Sequence, residues 1–287
     1  MVGVTNLLTG EIVIMSRLPA NAWFIWPQQR PLSPNLRIFC FPYAGGGASA
    51  FRVWPAHLPA EIEVCAVELP GHESRWVEPP ITNISELVHI LADILPAHSD
   101  VPLAFFGHSM GALIAFELAR ELRRRQQVSL EHLFVSGFRA PQLIDPAPLM
   151  HQMSESLFLQ ELRERYGTPD EIARDPELAE LYLPVMRADF ALCESYSYSQ
   201  EDPFDFPISG FGGIEDPKIN REQLQAWRAQ TSGSFHFRVF PGGHFYLNST
   251  SRPLLLRVLG QQLSQAGRRA ARVAAPQGTA YSTKITD

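Results

Sequence analysis

The pentapeptide Gly107-His108-Ser109-Met110-Gly111 has the residue types and the spacing of a serine nucleophile motif. The apolar run at 103–106 predicts a buried strand before it, and the apolar residues that follow recur at helical spacing. Glycine has no β-carbon, so residues 107 and 111 permit a strained strand-to-helix turn that exposes the serine Oγ. The helix start leaves unpaired amides, including that of Met110, which could hold an oxyanion. The motif therefore predicts that Ser109 is a nucleophile.

A serine hydroxyl needs an imidazole to take its proton, and the imidazole needs a carboxylate that fixes its tautomer and orientation. When a strand-turn-helix motif carries the serine, the acid and then the histidine follow later in the chain, each after a strand. Among the nine histidines, His244 is the candidate because Pro241-Gly242-Gly243-His244 directly follows the last predicted strand. We interpret the other histidines, including His108, as packing or surface residues.

The acid is predicted in the loop after strand 208–211, which contains Glu215 and Asp216 side by side. We favour Asp216 and keep Glu215 as the alternative. In some proteins with such a strand-turn-helix motif, the acid lies in the loop after the preceding strand. Here that loop, residues 136–140 after strand 133–135, includes no carboxylate.

The glycine-rich stretch at 41–47, Phe-Pro-Tyr-Ala-Gly-Gly-Gly, follows the first core strand and allows a backbone amide to face the serine. Ala44 is the predicted second oxyanion donor, with Tyr43 as the next choice. A phosphate-binding loop is the competing interpretation, and the stretch lacks the GxxxxGK[ST] spacing that it requires.

Strand-like and helix-like segments alternate from residue 36, which predicts an α/β fold with a mostly parallel sheet covered by helices on both faces. In such sheets ligands bind at the carboxyl ends of the strands. The predicted strands are Leu36–Phe41, Ile62–Val67, Leu103–Phe106, Leu133–Val135, Phe206–Phe211 and Phe235–Phe240. Residues 1–35 are predicted to be irregular, and 264–287 to be a poorly ordered tail because they lack an apolar period.

Between 138 and 206 the alternation stops and only helical patterns remain, two of which begin with helix-start signals at Thr168–Glu171 and Asp175–Glu177. We interpret this insertion as a lid that shapes an acyl pocket, and an extra helical layer is the alternative. Bulky apolar residues suit the lining of such a pocket. The predicted substrate contacts are Tyr43, Phe158, Leu162, Met186 and Phe190.

The amino-acid composition limits which binding partners and which cellular compartment are expected. The net charge of −6 and the lack of a sustained basic run argue against nucleic acid. With three cysteines, two of them in apolar runs, and with no secretory signal, we expect a reducing, cytoplasmic setting. No apolar run is long enough to cross a membrane. The His, Asp and Glu positions show no metal spacing, so no metal and no cofactor are expected.

Five ordered motifs spread over about residues 36–263 resemble the stand-alone type II thioesterases of nonribosomal peptide and polyketide synthesis, relatives of medium-chain fatty acyl thioesterases. The motifs are Phe39–Gly46, Leu69–Arg75, Phe105–Gly111, Arg187–Phe190 and Phe240–Phe245. The resemblance implies an α/β-hydrolase fold with a helical lid and a triad of Ser109, Asp216 and His244. It also implies that the amides of Ala44 and Met110 form the oxyanion hole.

Through this resemblance we expect hydrolysis of acyl thioesters on the 4′-phosphopantetheine arm of carrier proteins, which removes wrong or stalled acyl groups. We expect a monomer. The chain departs from the family at His72, where arginine is frequent. The alternatives are a medium-chain fatty acyl thioesterase or general esterase on the same scaffold, and a docking protein that binds carriers without turnover. The complete set of Ser109, Asp216 and His244 argues against the last.

Overall fold

The computed structural model describes residues 4–5, 12–13, 22–27, 30–143, 149–166 and 176–274. Its main feature is a seven-stranded sheet. Only the edge strand Phe24–Ile25 is antiparallel to its neighbour, and the other pairs are parallel. The predicted α/β fold with a mostly parallel sheet is therefore confirmed.

The seven strands are β3 (Phe24–Ile25), β4 (Leu36–Phe41), β5 (Ile62–Val67), β6 (Leu103–His108), β7 (Leu130–Ser136), β8 (Ile208–Gly213) and β9 (Phe235–Phe240), and their order across the sheet is β3-β5-β4-β6-β7-β8-β9. The strands from β4 to β9 match the six predicted ones to within a few residues, whereas β3 lies in the segment predicted to be irregular. Two further short strands, β1 (Val4–Thr5) and β2 (Ile12–Val13), pair with each other in antiparallel fashion.

The α-helices of the described residues follow the strands or lie within the insertion. They are α1 (Ile84–Ile94), α2 (Met110–Arg124), α3 (Glu155–Tyr166), α4 (Pro176–Glu194), α5 (Arg221–Gln225) and α6 (Arg252–Ala274). In the part of the chain that the structure describes, no helix is long and apolar enough to cross a membrane.

The alternation of side chains along each strand divides the core into two layers. Phe39 and Phe105 join the layer under α1 and α2, where Leu113 and Phe116 of α2 are also fully buried. Their sequence neighbours Ile38 and Phe106 point to the opposite face and pack with α6. Because both faces are covered, nearly every residue of the central strands is buried.

Two boundaries differ from the sequence-based prediction. Phe24–Ile25 belongs to the central sheet, so the N-terminal segment is not wholly irregular. The last helix continues to Ala274, so a poorly ordered tail from 264 is wrong for 264–274. This stretch lacks an apolar period because it packs through small side chains such as Ala266, which is fully buried.

In the insertion at 138–206 the described residues form α3, α4 and one short 3-10 helix, Met150–Gln152, and their only β pairing is an isolated bridge from Phe204 to Thr231. The helix-start signal at Thr168–Glu171 and Asp175 of the second signal lie outside the described residues. Met150, Leu162, Met186 and other apolar residues of this segment form a buried cluster of their own, separate from the two core layers.

Candidate active site

Ser109 lies between β6 and α2 at a turn with unusual backbone geometry. Its φ of 52° and ψ of −120° fall in a region that non-glycine residues rarely adopt. The Ser109 amide donates a hydrogen bond of 2.7 Å to the carbonyl oxygen of Ser136, which anchors the turn to the end of β7. Such strain persists only where the surrounding structure enforces it.

Close backbone packing enforces this turn and explains the two glycines of the motif. A β-carbon on Gly107 would lie 2.1 Å from the Gly111 carbonyl oxygen, and one on Gly111 would lie 2.1 Å from the Phe41 carbonyl oxygen. The loop after β4 therefore passes directly against the start of α2. The strands that precede this loop and this helix, β4 and β6, are neighbours in the sheet, and β5 lies on the other side of β4. The order of the strands therefore reverses direction at β4. Ligands bind at such a reversal of strand order.

Asp216 and His244 meet above the ends of β8 and β9. The Asp216 Oδ2 atom lies 2.8 Å from His244 Nδ1, and both side chains are almost fully buried. Asp216 Oδ1 accepts the amides of Lys218 and Ile219 at 2.9 and 3.2 Å, which fixes the carboxylate plane. Glu215, the alternative acid, is exposed to solvent. Of the two carboxylates, only that of Asp216 contacts the imidazole.

This contact determines which nitrogen of His244 is available for chemistry. An ionised carboxylate only accepts hydrogen bonds, so Nδ1 carries the proton that points at Asp216. In the neutral ring, Nε2 then has a free lone pair. Nε2 is buried and has no hydrogen-bond partner among the described residues. A buried acceptor of this kind is suited to take the proton of a serine hydroxyl.

The two predicted oxyanion donors border the same space. Ala44, Met110, Ser109 and His244 all line one cavity of about 510 Å³. Met110 is the first residue of α2, so its amide lies among those that a helix leaves without an internal acceptor. The loop that carries Ala44 is held by the Gly46 amide, which donates to the Tyr43 carbonyl oxygen at 2.8 Å.

The same cavity extends under the insertion. Tyr43, Leu162, Met186 and Phe190, four of the five predicted substrate contacts, line it. An acyl chain bound next to Ser109 would therefore meet aromatic and aliphatic side chains. The cavity combines a serine hydroxyl, a buried imidazole and an apolar wall, which is an arrangement suited to acyl transfer.

Comparison with known proteins agrees with this chemistry. Residues 36–263 match the family described as "Thioesterase domain". The chain belongs to the thioesterase family. The gramicidin S biosynthesis protein GrsT of Aneurinibacillus migulanus is 46% identical over 227 residues, which cover 79% of this thioesterase and 88% of GrsT.

Solved structures of thioesterases have the same architecture. RedJ, a thioesterase from the prodiginine biosynthetic pathway in Streptomyces coelicolor, is 42% identical with a TM-score of 0.76, covering 81% of this chain and 87% of RedJ. BorB, the type II thioesterase from the borrelidin biosynthetic cluster, is 34% identical with a TM-score of 0.77, covering 86% and 99% of the two chains. The predicted α/β-hydrolase fold and the resemblance to type II thioesterases are confirmed.

Phe158, the fifth predicted substrate contact, does not line the cavity, so this prediction is wrong. Its side chain is fully buried inside the cluster formed by α3 and α4, with its ring edge-on to Phe190 at 5.5 Å between centroids. Phe158 therefore supports Phe190 from behind. Helical spacing gives the buried face of α3 and does not distinguish the residue that faces a ligand from the one below it.

Sequence reasoning missed Tyr166, the last residue of α3. Its ring lies edge-on to that of His244 at 5.2 Å and also contacts Phe190, so it links the insertion to the imidazole. Tyr196 and Tyr198, which follow α4, line the cavity too. The sequence indicates their role in the cavity only weakly, because nothing in the neighbouring residues shows which way these aromatic side chains point.

A buried polar chain lies next to the His244 ring. His108 Nδ1 lies 2.8 Å from the Ser136 hydroxyl, which is 2.6 Å from the Tyr246 hydroxyl. Burial, and then the nearby His244, lower the pKa of His108 well below its usual value of 6.5. His108 is therefore neutral, and it adds no charge repulsion when His244 becomes protonated, although the two rings are only 5.0 Å apart.

Cys193, whose thiol is a potential nucleophile, also lines the cavity. Burial, followed by the charges of Asp189 and Glu194, raises the pKa of its thiol far above the usual value. The thiolate is the reactive form of cysteine. The raised pKa favours the protonated thiol, which is the less reactive form, so Ser109 stays the predicted nucleophile.

Proposed function

We propose that this thioesterase releases acyl groups from the 4′-phosphopantetheine arm of carrier proteins through an ester on Ser109. The observation that carries the proposal is the shared cavity, which Ser109 and His244 line together with apolar side chains of the insertion. A serine next to this apolar lining could react with an acyl chain that binds in the cavity, while the narrow phosphopantetheine arm reaches in from the carrier protein outside.

The chemistry follows from the protonation state of His244. Nε2 takes the proton of the Ser109 hydroxyl while Oγ forms a bond to the thioester carbon, and the amides of Ala44 and Met110 bind the resulting oxyanion. The carbon–sulfur bond then breaks, and the imidazolium returns its proton to the departing thiolate. A water molecule repeats the sequence on the Ser109 ester and releases the carboxylic acid.

The names of the relatives suggest the pathway. GrsT is a gramicidin S biosynthesis protein and BorB a type II thioesterase of a borrelidin cluster. By analogy we propose that this enzyme removes wrong or stalled acyl groups from a nonribosomal peptide or polyketide assembly line. We further propose that it acts as a monomer in the cytoplasm, without a nucleic acid or membrane partner. The three free cysteines support the reducing compartment.

The test compares one acyl group on three leaving groups: a carrier protein loaded through phosphopantetheine, coenzyme A, and a simple oxygen ester. We expect the highest kcat/KM on the carrier, with the acyl group found on Ser109 by mass spectrometry after rapid quenching. Ser109→Ala should show neither adduct nor turnover. Equal rates on carrier and coenzyme A would refute carrier recognition and favour a general acyl thioesterase. Turnover by Ser109→Ala would refute the mechanism.

A further inference from the structure

The loop that carries Ala44 is held by a buried carboxylate from the insertion. Asp189 of α4 accepts the Gly45 amide through Oδ2 at 2.7 Å. The same oxygen lies 2.9 Å from Nε2 of His72, a residue between β5 and α1. Both the His72 and the Asp189 side chains are about 3% exposed or less. One oxygen atom thus joins three distant parts of the chain next to the active serine.

The partners of His72 define its protonation state. Its Nδ1 lies 3.0 Å from the Pro70 carbonyl oxygen, an acceptor, and its Nε2 faces the Asp189 carboxylate, also an acceptor. Both ring nitrogens therefore have to donate, which only the imidazolium can do. The alternative, a proton on Asp189 Oδ2, would put a hydroxyl on the oxygen that already accepts the Gly45 amide. The ion pair gives an acceptor to the Gly45 amide and to both ring nitrogens of His72.

The electrostatic surroundings agree with this geometry. Burial opposes the charge on His72, but the hydrogen bond that His72 donates to Asp189, the charge of Asp189, the Pro70 carbonyl and then the charge of Glu73 together raise the pKa of His72 above 6.5. Arg75, the nearest cation along the chain, directs its guanidinium to the Glu68 carbonyl and the Glu78 carboxylate. The charged groups that act on His72 are thus Asp189 and Glu73, both negative.

The segment that carries His72 also holds the far end of the same loop. The Glu73 carboxylate accepts the Ser49 amide at 3.1 and 3.2 Å and contacts its hydroxyl. Glu73 has a φ of 41°, a strained value for a residue with a side chain. This backbone conformation directs the Glu73 carboxylate toward the loop. Residues 45–49 are therefore held at one end by Asp189 and at the other by Glu73.

We propose that His72 and Asp189 are positioning residues for the oxyanion hole: the His72 imidazolium neutralises Asp189, and the Asp189 carboxylate holds the Gly45 amide so that the neighbouring Ala44 amide faces the reacting carbonyl. This inference rests on the role proposed for Ala44. The pair also ties α4, whose Met186 and Phe190 line the acyl cavity, to the catalytic loop.

Loss of the His72 proton removes one of the two donors and leaves a buried carboxylate without its counter-charge. Buried unpaired charges are costly, so the loop and α4 would shift to reach water. A displacement of about 1 Å in a group that stabilises the transition state can lower the rate by about 10²-fold. Activity should therefore fall on the alkaline side as His72 deprotonates, in kcat more than in KM.

The test is a pH profile of kcat and KM for the full-length enzyme, measured with an acyl thioester of N-acetylcysteamine and corrected for background with Ser109→Ala. In Asp189→Asn the amide keeps an acceptor for Gly45 but loses the charge. We expect its alkaline decline to move to lower pH by about one to three units. In His72→Arg the cation persists at every pH, and the decline should disappear. His89→Arg is the matched control, because His89 is an exposed histidine near a carboxylate, Glu121, away from this loop.

A second measurement does not depend on activity. In Ser109→Ala with labelled histidine, NMR should show that His72 titrates above pH 6.5 and that Asp189→Asn lowers its midpoint. The proposal would be overturned if the activity of His72→Arg declined at alkaline pH as that of the wild type does. It would also be overturned if His72 titrated at or below pH 6.5 in the NMR measurement. If the serine mechanism itself were wrong, Ser109→Ala would retain activity while the NMR titration stayed as expected, so the two failures are distinguishable.

Discussion

Replacing Asp216 with asparagine changes the side chain by a single group, and the structure predicts how the new amide will orient. Asp216 Oδ1 accepts two backbone amides, from Lys218 and Ile219. The asparagine carbonyl oxygen will take that position, because the reverse orientation would set the side-chain NH₂ against two donors. The NH₂ group then replaces Oδ2 and faces His244 Nδ1.

The NH₂ group can only donate, so His244 must present Nδ1 as an acceptor and carry its proton on Nε2. This is the wrong tautomer for a base that acts on Ser109. We expect kcat to fall about 10³- to 10⁴-fold, which corresponds to about 4 to 5.5 kcal/mol of lost transition-state stabilisation. The fold should persist, because the substitution is isosteric and both amide contacts remain.

The assay follows thiol release from an acyl thioester, with thermal unfolding of each variant as a check on folding. Glu215→Gln is the matched control, since it removes the adjacent, exposed carboxylate, and its kcat should stay within a few fold of the wild type. The reasoning would be refuted if Asp216→Asn kept more than a tenth of the wild-type kcat while Glu215→Gln lost activity.

The remaining predictions concern the nucleophile, the acyl wall and the buried ion pair. Ser109→Ala should lower kcat by about 10³- to 10⁶-fold without loss of the fold; rate assays and circular dichroism check this. Phe190→Ala should shift the preferred acyl length in a substrate series because Phe190 lines the cavity, whereas Phe158→Ala should mainly lower the free energy of unfolding by about 3 to 5 kcal/mol; an unchanged length preference in both would contradict the lid interpretation. Because the pKa of His72 is raised in the folded state, its contribution to stability should be complete below pH 6.5 and be lost as the pH rises through the folded-state value. Urea unfolding at several pH values should show this loss in the wild type and a smaller one in Asp189→Asn.

The sequence alone determined the features that depend on neighbours along the chain. Alternating apolar segments predicted six strands of the central sheet, because a buried parallel strand needs a continuous apolar run. Glycines flanking Ser109 predicted the tight turn, since a strand-to-helix turn of this kind needs flanking residues without a β-carbon. His244 was indicated because Pro241-Gly242-Gly243-His244 directly follows the last predicted strand, where the histidine of such a site is expected. These signals lie within a few residues of the feature they specify.

Only the tertiary structure decided which side chains meet. Glu215 and Asp216 are adjacent and chemically alike, and the turn after β8 directs just one of them to His244. Helical spacing did not separate Phe158 from Phe190, because both lie on buried faces and only packing between α3 and α4 sets which one faces the cavity.

The contact of Asp189 with Gly45 spans 144 residues, and that with His72 spans 117. No local pattern encodes contacts of that range. Hydrogen bonds in a buried site depend on distances set by the whole sheet and the helices packed on it, so the link between the insertion and the catalytic loop exists only once the chain has folded.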